Sequence, residues 1–339
     1  MMEFLGHREL VAMLRKDKAF NLQYLEEEFK IGSSQIEALY EFAKLLYDVG
    51  CYDKSAQLLE SYMSLTQNYA RTLAAAWGRF GAAIVTAGMD NQWQHAHSAL
   101  LALKEVLDTN KSGLSPFNLV QQRTWLMHWG LFVFFNHPSG RSLLVDLFMQ
   151  EPYLNAVQTN APHLLRYFAV AVLANRDRRS ALKELIRTLK QEVYQYQDPV
   201  TEFVMYLYSQ YNFDKAHEML SLCQEVMETD YFLCHGRDAF VQNARQVIFE
   251  MYCRLHSAVD LQSLATKLMM DRDDAEKWIV DLVSTANLNA RIDSAAGVVV
   301  MGLQHRSVLD QMMDTARFLA IRTLTIADAV IATAEANAA

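Results

Sequence analysis

An aromatic segment, residues 121–138 (QQRTWLMHWGLFVFFNHP), constrains the fold more than any other part of this sequence. Five of the eleven residues from 125 to 135 are aromatic, and almost none is polar. A helix that spans a bilayer needs about 20 apolar residues, whereas this segment is closed by Arg123 on one side and by Asn136 and His137 on the other. The sequence therefore predicts a helix that is buried by other parts of the protein rather than by lipid.

The composition predicts a folded, mainly α protein. The 339 residues are 52% hydrophobic and 21% charged, which excludes disorder, collagen and disulfide scaffolds as descriptions of the whole chain. Only 5 prolines and 12 glycines interrupt residues that favour helix. The net charge of −8 argues against a protein that grips nucleic acid along its whole surface.

Nothing in the sequence indicates secretion or a membrane. The four cysteines have no paired spacing, and charged residues are scattered through the first twenty positions, so we expect no secretory leader. The next most apolar window, residues 161–174, contains His163 and Arg166. These features predict a cytosolic protein.

A faint repeat in the helical part of the chain indicates stacked helical hairpins. Apolar residues recur every three or four positions between residues 34 and 107. An aromatic, a small residue and a leucine share one helical face in three places: Tyr52-x-x-Ser55-x-x-Leu58-Leu59, Trp93-x-x-Ala96-x-x-Ala99-Leu100 and Phe213-x-x-Ala216-x-x-Met219-Leu220. The spacing fits helix pairs of about forty residues, as in solenoids. Unrelated hairpins in one bundle remain the alternative.

The pattern changes after residue 258 and predicts a winged helix. An apolar entry at 258–260 precedes helices at 261–269 and 273–287. Leu288, Ala290 and Ile292 then alternate with polar residues, which predicts a half-buried strand. A returning strand at 298–301 completes the one strand pair that we predict.

The C-terminal segment has the heptad pattern of a helix that packs against other helices. Its seam is formed by Leu309, Met312, Ala316, Leu319, Thr323, Ile326 and Val330. Little chain remains to cover this seam, so it docks either on another subunit or back on the same chain.

We find no catalytic motif, and we expect neither an enzyme nor a bound cofactor. The nearest candidate for a metal site is Cys223, Cys234, His235, Cys253 and His256. Its spacing matches no closed zinc site, so buried cysteines beside solvent-facing histidines are the preferred interpretation.

Two charge patterns bear on nucleic-acid binding. Residues 258–303 contain seven acids and four bases, the wrong sign for a winged helix that enters a DNA groove. Basic clusters occur instead at Arg178 and Arg179 and at Lys183, Arg187 and Lys190, the last three spaced to share a helical face. They are either solvated surface or a patch that contacts RNA or the ribosome.

The aromatic segment also resembles the corresponding part of the family of e subunits of eukaryotic translation initiation factor 3. The resemblance covers about residues 36–304 in preserved order, although members of that family usually begin with a longer N-terminal helical stretch, inside which Met1 is expected to fall. Further matching residues are Leu165-Arg166-Tyr167, Asp198-Pro199-x-Thr201-Glu202-Phe203, Phe213-Asp214-x-Ala216, Asn243-Ala244-Arg245, Ala275-Glu276-x-Trp278 and Val300-Met301-Gly302.

The resemblance implies a helical-repeat superhelix followed by a PCI domain. We expect a helical-repeat region at 1–147, a PCI domain at 148–304 and a heptad helix at 305–339. The PCI domain divides into a helical part, 148–257, and a winged helix, 258–304.

The implied function is that of a scaffold subunit that assembles factor 3 on the small ribosomal subunit and supports mRNA recruitment. The implied neighbours are the c, l and d subunits of the factor, with mRNA or rRNA as further contacts and no membrane. Alternatives are a PCI subunit of the proteasome lid or signalosome, and a free-standing winged-helix protein that binds nucleic acid. Residues expected at subunit interfaces are Leu288, Ala290, Ile292, Val298 and Val300 in the hairpin, and Leu309, Met312, Leu319, Ile326 and Val330 in the terminal helix.

Overall fold

The protein is mainly α, as predicted, and its contacts divide it into two units, residues 1–245 and 246–339. The structure is a computed structural model. It describes residues 13, 14, 16, 22–66, 68–109, 115–175, 178–256, 258–260, 262, 265, 274, 276–280, 290–293, 297–301 and 308–338.

Helices follow one another with short connections through the first unit. They are α1 (Leu22–Phe29), α2 (Ser33–Asp48), α3 (Tyr52–Leu65), α4 (Tyr69–Asp90), α5 (Trp93–Thr109), α6 (Pro116–Asn136), α7 (Gly140–Phe148), α8 (Glu151–Asn160), α9 (Leu165–Ala174), α10 (Arg179–Glu192), α11 (Pro199–Met205), α12 (Phe213–Thr229) and α13 (Arg237–Leu255). A π-helical turn, Tyr206–Gln210, joins α11 to α12, and the boundary between the two units falls within α13.

Helix starts are fixed by caps that the sequence encodes. The side chain of Asn68 accepts hydrogen bonds from Ala70 N (3.1 Å) and Arg71 N (3.4 Å) at the start of α4. Proline occupies the first turn of α6, α8 and α11, where its missing N–H costs nothing. Helix α8 accordingly begins at Glu151 and α11 at Pro199.

Stacked helical hairpins, predicted from the faint repeat, form the core of the first unit. Ser55, Ala96 and Ala216, the small residues of the three repeats, are all fully buried. Ser55 Oγ donates a 2.8 Å hydrogen bond to Ala43 O on α2, so the small side chain lets the helices approach closely and also satisfies a hydroxyl. Consecutive helices from α2 to α6 pack against one another, as in a stacked helical array.

The aromatic segment forms α6, and its burial is only partly as predicted. Leu126, Met127 and Phe134 are buried, but the side chains of Trp125 and Trp129 are 51% and 43% exposed. The expectation of complete burial is therefore wrong for the two tryptophans. A helix turns a different side outward every 3.6 residues, and the packed neighbours of α6 cover only part of its circumference.

The second unit contains a three-stranded antiparallel sheet in the order β1-β3-β2. Its strands are β1 (Ala258–Asp260), β2 (Ala290–Asp293) and β3 (Val298–Met301). The predicted hairpin is confirmed, with Gly297 at φ +67° in its turn. The expectation of a single strand pair is wrong, because 258–260 is a strand that pairs with β3. Three residues are too short a run to show strand alternation in a sequence.

The remaining parts of the second unit are helical where the structure describes them. Residues 262, 265, 274 and 276–280 are helical, and the rest of the two predicted helices lies outside the described residues. The terminal helix α14 (Val308–Ala338) is 31 residues long, as the heptad pattern predicts. No helix within the described ranges is long and apolar enough to cross a membrane.

Candidate interaction surfaces

The terminal helix α14 exposes the heptad seam that the sequence predicted. Leu309, Met312, Leu319 and Ile326 are between 54% and 73% exposed, and Val330 lies in the same helix. At 100° per residue these positions fall within one side of the helix. The seam thus forms a continuous apolar stripe that the described residues of this chain leave uncovered.

Apolar residues also occur on the other side of α14, which the heptad analysis missed. Phe318 and Ile321 are 64% and 63% exposed and lie away from the seam, between Arg317 and Arg322 in the sequence. Their positions break the heptad rule, so a search for a single periodic stripe could not find them.

The strand residues expected at an interface do not occupy equivalent positions in the sheet. Val299 is fully buried, whereas Val300 is 46% exposed, because neighbouring residues of a strand point to opposite faces. On β2, Ala290 and Ile292 pair with Met301 and Val299 of β3. Their register positions therefore alternate with those of Val298 and Val300, the β3 residues that were expected at the same interface. Leu288 lies outside the described residues.

The strand order decides which backbone N–H and C=O groups remain open to a partner. β3 is the central strand and pairs with β1 on one side and β2 on the other, so Val298 and Val300 lie in a strand whose two edges are both paired. Within the described part of the chain, the outer edges of β1 and β2 are the edges that remain. An added strand would have to pair with one of these two.

The basic residues predicted on α10 lie together, with one exception. Arg179, Lys183, Arg187 and Lys190 are exposed on one helical face, and Arg187 Nη1 lies 3.6 Å from Glu184 Oε1. Arg178 precedes the helix and pairs with Asp146, which neutralises much of its charge. The structure therefore reduces the predicted patch to four residues.

The cysteines and histidines considered for a metal do not form a recognisable site. Cys223 is fully buried, and burial raises the pKa of its thiol. Burial likewise raises the pKa of Cys253 to about 12. Among the residues that the structure describes, no group of three or more potential ligands is placed to hold an ion.

A buried charge network ties together three distant parts of the helical array. Arg166 on α9 donates from Nε to Asp198 Oδ1 (3.0 Å) and from Nη1 to Asp230 Oδ2 (3.2 Å), and Tyr167 donates its hydroxyl to Asp230 Oδ2 at 2.9 Å. Burial alone would lower the pKa of Arg166. Its hydrogen bonds to Asp198 and Asp230 outweigh burial and raise this pKa above its ordinary value. Burial raises the pKa of Tyr167, so Tyr167 and Arg166 both keep the protons that they donate to the network near neutral pH.

Comparison with known proteins gives two family matches. The PCI domain family matches residues 210–302, and the family described as "eIF3 subunit 6 N terminal domain" matches residues 1–46. Three relatives are each named as the E subunit of eukaryotic translation initiation factor 3. The protein from Arabidopsis thaliana is 42% identical, over 100% of this chain and 78% of the relative. The Bombyx mori protein is 44% identical over 88% of this chain and 66% of the relative. The Aspergillus fumigatus protein is 36% identical over 97% of this chain and 73% of the relative.

Proposed function

This chain belongs to the family of the E subunit of eukaryotic translation initiation factor 3, and from that premise we propose that it is a non-catalytic scaffold that assembles the factor through its C-terminal unit. The factor has several subunits, so the chain works beside other subunits of the same complex. Family membership favours this role over the proteasome-lid, signalosome and free-standing nucleic-acid-binding alternatives. The protein would act in the cytosol.

The observation that carries this proposal is the uncovered stripe on α14. Large apolar side chains exposed in series along a helix are unfavourable while water covers them, and they stabilise a complex when a second helix packs against them. Isolated exposed leucines are ordinary, but four seam residues over half exposed in one helix form a patch of the kind that marks an interface.

The sheet of the second unit offers a second contact to the same class of partner. An edge strand presents unpaired N–H and C=O groups, and a strand from a neighbouring subunit satisfies them by main-chain pairing. The outer edge of β2 suits this role because it belongs to the predicted hairpin. We expect the c and l subunits at this unit and the d subunit on the helical array, with the small ribosomal subunit as the platform on which the factor assembles.

The test substitutes charged residues into the stripe. We expect the triple variant Leu309→Asp, Leu319→Asp and Ile326→Asp to lose co-purification with other factor 3 subunits, because three carboxylates would be desolvated in the interface. Affinity purification of the tagged full chain followed by mass spectrometry measures this loss.

The matched control places the same kind of charge on the opposite side of α14. Arg317 and Thr325 are on that side, and Thr325 Oγ1 only bonds the helix backbone. Arg317→Glu with Thr325→Asp is expected to leave co-purification intact. Retention of the partners by the triple variant, or recovery of lid subunits by the unmodified chain, would contradict the proposal.

A second candidate function, contact with rRNA or mRNA, is favoured by the face of α10. Arg179, Lys183, Arg187 and Lys190 present four cations along one helical face in a chain of net negative charge. Local cations of this kind bind phosphates with a strong dependence on salt.

Charge reversal tests this second role. Lys183→Glu, Arg187→Glu and Lys190→Glu together are expected to weaken association of the purified complex with the small ribosomal subunit and to reduce its salt dependence. Reversal of Lys30, Lys44 and Lys54, which are exposed elsewhere in the first unit, is the control. Equal binding by both triple variants would mean that the α10 face is solvated surface.

A further inference from the structure

The outward face of α6 carries no carboxylate, ammonium or guanidinium group, and His128 is its titratable side chain. Residues 116–136 include a single charged side chain, Arg123, which is 7% exposed and donates from Nη2 to Asp108 Oδ1 at 3.0 Å. We call this outward face the α6 row, and it consists of Phe117, Asn118, Gln121, Gln122, Trp125, Trp129, Phe132 and Asn136. In a chain with 21% charged residues, a surface of aromatic rings and carboxamides is unusual.

Aromatic rings form the centre of the α6 row. Trp125, Trp129 and Phe132 follow at helical spacings of four and three residues, and the rings of Trp129 and Phe132 stack with centroids 5.8 Å apart. Trp77, whose indole donates to Gln122 Oε1 at 2.6 Å, borders the row on one side. Within the described residues, the indole N–H groups of Trp125 and Trp129 meet no acceptor.

The other border of the row is held in place by the buried charge network. Asp230 Oδ1 accepts from Phe232 N at 3.0 Å, while its other oxygen accepts from Arg166 and Tyr167. The rings of Tyr231 and Phe232 then contact Phe132, and Tyr231 is 71% exposed. A surface fixed in this way loses little conformational entropy when it binds.

At its C-terminal end the α6 row continues into a cavity of about 380 Å³. Asn136 belongs to both, and the remaining lining residues are Asn91, Gln92, Trp93, Gln94, His95, His137 and Pro138. Hydrogen bonds from Trp93 Nε1 to Asn91 Oδ1 (3.0 Å) and between His137 Nε2 and Gln94 Oε1 (2.6 Å) shape its wall. The cavity walls, like the row, carry carboxamides and rings rather than carboxylates or ammonium groups.

The charge of the row decides which class of ligand fits it. Single-stranded nucleic acid stacks on aromatic rings but also needs cations along its backbone. Three arginines of the surrounding helices are already engaged: Arg123 with Asp108, Arg166 with two aspartates, and Arg237 with Glu228 and Asp238. A charged peptide would lose hydration without gaining a partner.

An uncharged peptide in the polyproline II conformation matches the row in chemistry and in length. Such peptides pack proline rings on aromatic side chains, and their backbone carbonyls accept hydrogen bonds because nothing within the peptide satisfies them. The row runs for about 29 Å at 1.5 Å per helical residue, which equals about nine residues of polyproline II at 3.1 Å each.

We propose that the α6 row is a docking surface for an extended, uncharged, proline-rich segment of a partner protein. Prolines of the segment pack on Trp125 and Trp129, whose indole N–H groups donate to its carbonyls. The carboxamides at both ends of the row bind further backbone groups. This surface is separate from α14, so the proposal holds or fails independently of the scaffold function.

The direct test observes the tryptophans of the unmodified full chain. The chain contains five tryptophans, so labelling with ¹⁵N-tryptophan gives five indole N–H signals, which single Trp→Phe variants assign. The probe is a capped nonaproline peptide. We expect the signals of Trp125 and Trp129 to move on titration, while that of Trp278, which packs edge-on against Phe249, stays in place.

Substitutions and competing ligands complete the test. We expect Trp125→Ala and Trp129→Ala each to weaken binding of the peptide at least tenfold, with circular dichroism unchanged. Tyr194→Ala, which removes an aromatic ring that is 97% exposed elsewhere, should leave binding unaltered. A peptide with three of its prolines replaced by lysine or by glutamate should bind at least tenfold more weakly.

Three results would overturn the proposal. The first is the absence of any shift of the two indole signals at millimolar nonaproline. The second is an equal loss of binding in the Tyr194 variant. The third is a shift of the same signals by oligouridylate RNA but not by the peptide, which would assign the row to nucleic acid.

Discussion

The helices α6 and α14 are both long and rich in large apolar residues, yet they relate to the chain in different ways. α6 buries Leu126, Met127, Leu131, Val133 and Phe134 among its neighbours, whereas the four large seam residues of α14, Leu309, Met312, Leu319 and Ile326, are all more than half exposed. The amount of apolar surface in a helix therefore does not tell whether the same chain covers it. Coverage of a helix by its own chain depends on neighbouring helices with matching small residues and satisfied polar groups, as in the array around α6.

The largest loss of stability is expected when the buried charge network of the helical array is broken. Asp198→Ala removes the carboxylate that Arg166 binds and also the cap of α11, whose Val200 N lies 3.2 Å from Asp198 Oδ2. Arg166 would keep Asp230 as a partner but lose its two hydrogen bonds to Asp198, and α11 would lose its cap, so we expect the free energy of unfolding to fall by about 4 kcal/mol. Urea denaturation followed by circular dichroism measures it.

The control for this change is Asp146→Ala, because Asp146 forms an exposed pair with Arg178. That pair is hydrated, and its loss should cost less than about 1 kcal/mol. Equal losses in the two variants would mean that burial does not distinguish the array from an ordinary surface.

A smaller effect is expected at the end of α6. A Cβ at Gly140 would lie 2.0 Å from Phe134 O, a backbone atom that has little room to move. Gly140→Ala should therefore reduce the free energy of unfolding by about 3 kcal/mol. Gly88→Ala is the matched control, because a Cβ there meets nothing within 4 Å, and it should stabilise α4 by about 0.5–1 kcal/mol. A loss at both positions would contradict the close approach of α7 to α6.

A pH-dependent effect is expected where α6 meets α5. Partial burial alone would raise the pKa of Asp108. Hydrogen bonds from Lys104 and Arg123 outweigh burial and hold this pKa below its usual 3.8. The ionised carboxylate thus stabilises the folded state above about pH 4, and this contribution is lost as the pH falls below that value. Calorimetric melting at several pH values should show Asp108→Asn approaching the unmodified chain as the pH is lowered, a convergence that exposed Glu105→Gln should not show.

The smallest effect is expected in α14. Leu319→Ala should change the free energy of unfolding of the isolated chain by less than about 0.5 kcal/mol, since the side chain is 54% exposed. The matched control Leu103→Ala, at a fully buried leucine of the array, should cost about 3 kcal/mol. If Leu319→Ala were as costly as the control, the seam would be buried within the chain and the contrast between the helices would disappear.

Local patterns in the sequence predicted most of the elements. Periodicity located the hairpins, the returning strand at 298–301 and the helix after residue 308, because each signal lies within a few turns of chain. The burial of Ser55, Ala96 and Ala216 follows directly from the repeat in the sequence.

Features that depend on distant contacts could not be predicted in the same way. The network of Arg166, Asp198 and Asp230 joins residues as far as 64 positions apart, and no local spacing indicates it. Exposure of Trp125 and Trp129 likewise depends on which sides of α6 the other helices cover. The sites stay predictions, because uncovered seam residues and a basic face show where a partner fits without showing the partner.

The length of α14 has a consequence for the supply of this protein. The seam residues from Leu309 to Ile326 extend along α14 for about 26 Å, and an uncovered apolar stripe of that length binds other such stripes when their concentration is high enough. A molecule synthesised in excess of its partners is therefore prone to aggregate. We expect its dosage in the cell to be matched to theirs, with surplus copies cleared by proteolysis.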